Sequence, residues 1–328
     1  MTVVSGQTAT RGPRSSGSPE VAPHERTPRT APPGGMLVPL LGRLSHHIQA
    51  ERAMPIFRRD PDFIGRQLAK VRSYTSIFSP TVVGLENLPA EGAVLVVGNH
   101  SCLFYMPDAW VVGLSILQRR GLEQPAYALA YDLIFSIPVV GPFFRRIGAI
   151  PAGGLEAEEA LAQDAAVLVY PGGDREACRS WRHRNRVDLC GHTGFIKLAL
   201  RTGVPVVPVV AHGSHDAVMV VSRGDALARA LGLQRLHINV FPILLGPLGL
   251  TSILAPPLPL PSAITVQFLA PLHWNERGYR PESEADVGAC YEEITNTMQA
   301  TLDQLRAGNP HPVRRGVASL IRASVRQK

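Results

Sequence analysis

The sequence has few charged residues, few aromatic residues and few cysteines. Charged side chains make up 18% of the 328 residues, against about a quarter in typical soluble domains. Aromatic residues are 6%, and the four cysteines contain no C-x-x-C pair. This composition excludes a disulfide scaffold and argues against a zinc site. Because reduced thiols are typical of the cytosol, it indicates a cytosolic protein.

One long stretch has no charge at all. Residues 238–272 are long enough to cross a membrane, but they contain seven prolines, and a membrane span needs an unbroken helix. We therefore predict a strand, a proline-rich apolar loop at Leu244–Pro261 and a second strand at Ala263–Leu269. The apolar loop needs a cover, which either a membrane interface or the N-terminal helices would provide.

The net charge of +7 is concentrated at the C-terminal end. Residues 304–328 contain five Arg, one Lys and no acidic residue, which leaves the rest of the chain almost neutral. Val313–Val325 places apolar residues between these arginines. This pattern is typical of a helix that lies on a membrane surface, and a solvated tail is the alternative. A basic segment without interleaved aromatics does not indicate a nucleic-acid partner.

The chain divides into four segments by composition. Residues 1–35 are rich in Gly, Pro, Ser and Thr and lack the apolar core of a signal peptide, so we predict a disordered tail; Met36 is an alternative start. Residues 36–80 have apolar residues at helical spacing and form a helical segment that packs on the body or lies on a membrane. Residues 81–305 are the main domain, and residues 306–328 are a basic amphipathic tail.

The main domain alternates apolar runs with helical patterns, which predicts an α/β fold with a mostly parallel central sheet flanked by helices, and with N-terminal helices. The predicted strands are Ala93–Gly98, Ala126–Ala130, Ile147–Pro151, Ala165–Tyr170 and Val204–Val210. The predicted helices are Pro107–Leu117, Leu155–Gln163, Thr193–Thr202 and Asp286–Leu305. Because ligands bind at the carboxyl ends of parallel strands, the loops at His100 and Pro171 are predicted to lie near each other.

The first chemical signal is Gly98-Asn99-His100-Ser101, directly after a buried strand. An imidazole at the exit of a sheet is well placed to act as a general base. Asp108, eight residues further on, would hold the tautomer of His100 and stabilise its imidazolium. A purely structural histidine is the alternative.

The second signal is Tyr170-Pro171-Gly172-Gly173-Asp174-Arg175-Glu176. Gly172 and Gly173 let the backbone approach a ligand closely. Arg175 offers a planar cation for a phosphate or a carboxylate. The alternative is a plain tight turn with a surface arginine.

Taken in order, four blocks make the chain resemble the glycerolipid acyltransferase superfamily, the lysophospholipid-acyltransferase-like fold. Its His-x4-Asp block corresponds to Gly98–Asp108 and its Gly-x-Ile block to Ile147–Pro151. Its Phe-Pro-Glu-Gly-Thr-Arg block corresponds to Tyr170–Arg175, and its proline-rich strand to Val204–Pro208. The resemblance extends roughly from Leu85 to Leu272.

Two positions depart from that pattern. Position 105, where His-x4-Asp would put the acid, is Tyr105, so the loop to Asp108 is three residues longer. Gly172 stands where the third block usually has Glu. The Pro-Gly-Gly sequence is similar to the diacylglycerol-acyltransferase branch, which puts a lysophosphatidate acceptor in doubt.

The resemblance implies direct transfer of an acyl group from acyl-CoA, or from acyl carrier protein, to a lipid hydroxyl. His100 would be the general base and Asp108 would orient it, with no metal, no cofactor and no nucleophilic role for Ser101 or Cys102. The residues expected to contact substrate are Asn99, Ser101, Gly172, Gly173, Arg175, Arg145 and Arg146. It also implies an enzyme on the cytoplasmic face of the membrane, peripheral or monotopic.

Several side chains near these blocks have two readings. His212, His215 and Asp216 either line the site or cap a strand end. The basic run of Arg179, Arg182, Arg184 and Arg186 either collects phosphates or is a solvated face, and Asp174 and Glu176 are its candidate ion-pair partners. Two other functions stay open. One is a non-catalytic lipid-binding scaffold on the same fold; the other is an esterase, against which the absence of a G-x-S-x-G motif argues.

Overall fold

The structure is a computed structural model that describes residues 57–101, 105–236, 239–246 and 249–326. The tail predicted at residues 1–35 lies outside the described residues, as does the part of the predicted helical segment before residue 57. The rest of that segment contains helix α1, Pro61–Ser76. Proline at its first position and the Asp60 carboxylate, which accepts the Phe63 N–H at 2.8 Å, start the helix there.

The ten strands of the described residues form two sheets. They are β1 Thr81–Val83, β2 Val94–Gly98, β3 Ala126–Ala130, β4 Ala149–Pro151, β5 Ala166–Val169, β6 Val206–His212, β7 Met219–Ser222, β8 Ile243–Gly246, β9 Gly249–Ser252 and β10 Thr265–Phe268. The central sheet has the order β1-β10-β6-β2-β5-β3-β4. Strands β6, β2, β5, β3 and β4 are parallel, whereas β10 runs antiparallel to β6 and parallel to β1.

Helices cover both faces of this sheet. After α1 they are α2 Pro107–Arg120, α3 Asp132–Phe135, α4 Val140–Arg146, α5 Gly154–Leu161, α6 Gly173–Ala177, α7 Gly194–Thr202, α8 Asp225–Ala230, α9 Glu284–Gly308 and α10 Pro312–Arg326. In β2, Leu95 and Val97 pack with residues of α5, α7 and α9, whereas Val94 and Val96 pack with residues of α2. A strand buried on both faces reads as a continuous apolar run, which is why the sequence pattern predicted it.

The predicted α/β class with a mostly parallel sheet is confirmed. The predicted strands and helices with stated bounds agree with the observed ones to within three residues at each end. The strand predicted before Leu244 is not observed there, because residues 239–242 are irregular and β8 begins at Ile243. Within the described residues, no helix is both long enough and apolar enough to cross a bilayer.

The proline-rich loop predicted at Leu244–Pro261 is partly wrong. Strands β8 and β9 form an antiparallel hairpin in that region, and β8 also pairs with β7. These strands pair backbone groups that an apolar loop would leave unsatisfied. The described prolines from Pro256 to Pro261 follow the hairpin and do not interrupt its ladder.

The hairpin belongs to an excursion from the central sheet. The chain leaves β6 and returns to it as β10, where His212 lies opposite Thr265. Inside that loop the Leu260 N–H donates to the Ala217 carbonyl at 2.7 Å. Residues 218–259 therefore form a loop whose two ends are joined by the hydrogen bond between Ala217 and Leu260.

Candidate active site

His100 follows β2 directly, at the carboxyl edge of the sheet. Its Nδ1 lies 3.0 Å from Oδ2 of Asp108, which is in the first turn of α2. The Asp108 carboxylate is fully buried and the His100 side chain is 11% exposed. The loop is three residues longer than His-x4-Asp, yet it brings the carboxylate back to the imidazole as predicted.

The charge on Asp108 assigns the protons of His100. Asp108 lies in the first turn of α2, and its Oδ2 also accepts the Ser101 N–H at 3.2 Å. An ionised carboxylate only accepts hydrogen bonds, so the shared proton belongs to Nδ1. Nε2 of the neutral imidazole then has a free lone pair, and it has no hydrogen-bond partner among the described residues. This is the arrangement of a general base that is oriented by an acid.

Tyr170, at the end of the neighbouring strand β5, fixes the plane of the imidazole. The two rings stack with centroids 4.5 Å apart and planes at 26°. A Cβ at position 98 would collide with the Tyr170 ring, so glycine is required there. The Tyr170 hydroxyl is buried with no partner among the described residues. Burial, and then the charges of Asp108 and Glu176, hold the pKa of Tyr170 well above its ordinary value.

The backbone of His100 is held by a buried ion pair. Oε2 of Glu176 accepts the His100 N–H at 2.9 Å, and Nη1 of Arg179 donates to the His100 carbonyl at 2.7 Å. The two side chains are 3.6 Å apart and both are buried. Glu176 was predicted as an ion-pair partner of the basic run, but its contact with His100 was not predicted. Burial raises the pKa of Glu176 to about 7, although Arg179 and the amides of His100 and Asp188 act against this.

Asn99 and Ser101 are engaged by the protein itself. The Asn99 amide exchanges two hydrogen bonds with the backbone of Ala211, at 3.0 and 2.7 Å, and so extends the pairing of β2 with β6 by one residue. The Ser101 hydroxyl donates to the Ser214 hydroxyl at 2.6 Å. These contacts shape the loop around His100, and the predicted contact of both residues with substrate stays a prediction.

Positions 172 and 173, which follow β5, are glycine for two different structural reasons. A Cβ at position 172 would collide with the Asp188 carbonyl and with the Glu176 side chain, so the third block has no room for its usual Glu. Gly173 has a φ of 53°, in the left-handed region that favours glycine. Arg175 is exposed and makes no hydrogen bond or ion pair with any described residue. It is therefore available to an anionic ligand.

Arg145 and Arg146 each place a guanidinium over an aromatic ring. The Arg145 guanidinium is buried and lies 4.5 Å from the centre of the Phe135 ring. Arg146 pairs with Asp60 at 2.6 Å and lies over Phe63. These contacts join α4 to α3 and to α1, and the predicted contacts with donor phosphates stay predictions.

His212, the last residue of β6, and His215, three residues further on, support the structure. His212 Nε2 is 2.9 Å from the Asn309 carbonyl, and His215 Nε2 is 2.7 Å from the Arg179 carbonyl. Burial, and then the charge of Arg179, holds the pKa of His215 well below its ordinary value.

Two of the four arginines in the basic run have acidic partners, and the other two are exposed. Arg179 is buried beside Glu176, and Arg184 pairs with Asp216 at 3.1 Å, whereas Arg182 and Arg186 are exposed. Within the described part of the chain, no three His, Cys, Asp or Glu side chains are grouped as metal ligands.

The chain is similar to several known proteins. Residues 79–212, which include His100, Asp108 and Arg175, match the family model described as Acyltransferase. An uncharacterized protein of Mycobacterium tuberculosis is 29% identical over 279 residues, which cover 83% of this chain and 75% of that one. Phytyl ester synthase 2 of Arabidopsis thaliana is 31% identical over 43% of this chain and 21% of its own.

Two further proteins are similar to the chain. Diacylglycerol O-acyltransferase 2-like protein 6 of the mouse is 29% identical over 46% of this chain and 48% of its own. The crystal structure of the 1-acyl-sn-glycerophosphate acyltransferase PlsC from Thermotoga maritima has 18% identity and a TM-score of 0.45, and the match covers 83% of this chain and 93% of that one. These comparisons confirm the resemblance to the acyltransferase superfamily that the sequence predicts.

The raised pKa of Glu176 predicts a specific pH dependence of stability. The folded state binds this proton more tightly than the unfolded state, whose pKa is near the ordinary value of 4.5. The stabilising effect is complete below pH 4.5 and is lost as the pH rises through about 7. We expect the free energy of unfolding of the wild type, relative to Glu176→Gln, to fall between these pH values in urea titrations.

The exposed Glu282→Gln serves as the control, since its free energy difference from the wild type should stay flat over this range. A stability of the wild type that rises relative to Glu176→Gln would contradict the prediction. It would mean that attraction to Arg179 outweighs the desolvation of the carboxylate.

Proposed function

We propose that this acyltransferase moves a fatty acyl group from a thioester, acyl-CoA or acyl carrier protein, to a hydroxyl of a glycerolipid or lysophospholipid. The observation that carries the proposal is the buried His100–Asp108 pair, with Nε2 of His100 unpartnered among the described residues at the carboxyl edge of the sheet. Such a pair can remove the proton of a substrate hydroxyl group, and the reaction then needs no nucleophilic side chain of the protein.

The proposed reaction is a direct transfer. Nε2 of His100 takes the proton of the acceptor hydroxyl while its oxygen attacks the thioester carbonyl carbon. The carbon–sulfur bond then breaks, and the leaving thiolate receives the proton from the imidazolium. Asp108, 3.0 Å from Nδ1, stabilises the imidazolium between these two proton transfers. The thioester is a co-substrate, and no cofactor or metal takes part.

The acceptor is an alcohol, and the names of two relatives support this part of the proposal. Phytyl ester synthase and diacylglycerol O-acyltransferase both denote the formation of esters. Phosphate groups of the donor or of a phosphorylated acceptor would meet Arg175, beside the Gly172–Gly173 turn. Arg145 and Arg146 are proposed as secondary contacts of the donor. We further propose that the enzyme works at the cytoplasmic face of the membrane, as a peripheral or monotopic protein.

His100→Ala tests the base. We expect transfer from radiolabelled long-chain acyl-CoA to fall by at least about 10²-fold, because general-base catalysis contributes that much or more. Lysophosphatidate, monoacylglycerol, diacylglycerol and a long-chain alcohol serve as acceptors, and acyl carrier protein as a second donor. His273→Ala, which changes an exposed histidine, should keep full activity. Equal turnover by wild type and His100→Ala would exclude the mechanism.

Asp108→Asn tests the orienting acid. The amide has nearly the same shape, but it carries no charge to stabilise the imidazolium, so we expect kcat to fall by about 10³-fold. Circular dichroism and the melting temperature check that the fold is kept. A kcat within a factor of about three of the wild type would show that Asp108 is structural only.

Arg175→Gln tests the phosphate contact. Loss of a charge-assisted hydrogen bond should raise one KM by about tenfold and change kcat little. A higher KM for acyl-CoA would assign the donor phosphate to Arg175, and a higher KM for lysophosphatidate would assign the acceptor phosphate. Arg229→Gln, on the exposed side of α8, is the matched control. Unchanged KM values for both substrates would refute the contact.

A further inference from the structure

We propose that α10 and the segment from β9 to Pro261 form one surface that docks on an anionic membrane. We call this the docking surface, and it consists of the exposed apolar side chains of residues 250–260 and of residues 317–325. The inference rests on the proposed function, because it names the part of the chain through which the enzyme meets its lipid.

Helix α10 carries an apolar stripe that faces away from the protein. Val317, Ile321 and Val325 follow one another at intervals of four residues, which places them on one side of the helix. They are 40%, 60% and 69% exposed, so exposure increases toward the end of the helix. In a helix that packs only on its own domain, such a stripe would face the core.

The first half of α10 is anchored to the segment that precedes β10. The Ala263 N–H donates to the Pro312 carbonyl at 2.9 Å. Gly316 touches Pro261 so closely that any larger side chain would collide with the Pro261 carbonyl. The helix is thus held at its start, and its apolar stripe extends beyond this anchor.

A second set of exposed apolar side chains leads to the same anchor. Leu250 is 71% exposed, Leu254 83%, Leu258 80% and Leu260 37%. Leu260 is next to Pro261 in the chain, so the two apolar regions adjoin where Pro261 contacts Gly316. Exposed leucines that lie so near one another in the chain differ from ordinary surface, where exposed apolar residues occur singly.

The charges around these side chains indicate which partner fits. Arg314, Arg315 and Arg322 are exposed on α10, residues 304–328 contain no acid, and residues 238–272 have no charge. Exposed apolar groups beside unpaired arginines suit a bilayer with anionic headgroups. A second copy of the chain fits less well, because α10 packed on α10 would bring arginines together.

The docking surface is joined to the loop of the active site. The Tyr105 hydroxyl donates to the Pro257 carbonyl at 2.9 Å, and the Tyr74 hydroxyl donates to the Tyr105 carbonyl at 2.8 Å. Tyr105 lies in the chain between His100 and Asp108, so the segment that would touch the membrane also supports the catalytic loop. The proposed membrane contact and the catalytic loop are therefore directly connected.

Co-sedimentation with vesicles tests the proposal on the full chain without any catalysis. We expect the wild type to bind phosphatidylcholine vesicles that contain phosphatidylglycerol more tightly than pure phosphatidylcholine vesicles, and to bind less as salt increases. Ile321→Asp and Leu258→Asp, made separately, should each lower the partition coefficient by about tenfold. Leu155→Asp is the matched control, since Leu155 is 82% exposed on α5, outside the docking surface, and it should bind like the wild type.

Binding by Ile321→Asp and Leu258→Asp at the level of Leu155→Asp would overturn the proposal. It would also be overturned if the wild type did not bind vesicles; a change of the molecular mass in solution in either variant would then show that the surface joins two chains. His100→Ala should bind vesicles like the wild type. Vesicle binding without any acyl transfer by the wild type would therefore reject the proposed function and leave the docking surface standing.

Discussion

The candidate site depends on the hydrogen bonds that hold the residues after β2 from both neighbouring strands, β5 and β6. Beyond Gly98 the backbone hydrogen bonds of the sheet stop, and side chains replace them. On the β6 side, Asn99 forms hydrogen bonds with Ala211. On the β5 side, Glu176 and Arg179 bind the N–H and the carbonyl of His100. Buried charges are tolerated there because each has a partner and backbone hydrogen bonds. With its backbone held in this way and its ring stacked on Tyr170, the imidazole has little freedom to turn away from Asp108.

The parallel arrangement of the central strands makes this grip possible. Parallel strands all end at one edge, so residues that follow β2, β5 and β6 meet although they are far apart in the chain. Glu176 and His100 are 76 residues apart, and Asn99 and Ala211 are 112 apart. The order of the strands therefore brings the residues of the site together, and none of the three loops that carry them needs to be long.

The sequence allowed those parts to be predicted that have a local signature. Buried parallel strands have continuous apolar runs, and His100 was found because it ends one of them. The contact of Tyr170 with His100 had no such signature, since it depends on β5 lying beside β2 and on the missing side chain at Gly98. The hydrogen bond from the His100 N–H to Glu176 could not be predicted from the sequence either, because it also depends on β5 lying beside β2. The β8–β9 hairpin was missed because the prolines on both sides of Leu250 dominate the local pattern.

The closing hydrogen bond between Leu260 and Ala217 has a consequence for how this fold can diversify. A segment that leaves and rejoins the body at one point can change in length, composition or shape without moving the strands around it. Residues 218–259 are in that position, whereas the parts that grip His100 lie outside them. Such an excursion can vary as one unit, provided that it keeps the contact of Pro257 with Tyr105, through which it supports the loop between His100 and Asp108.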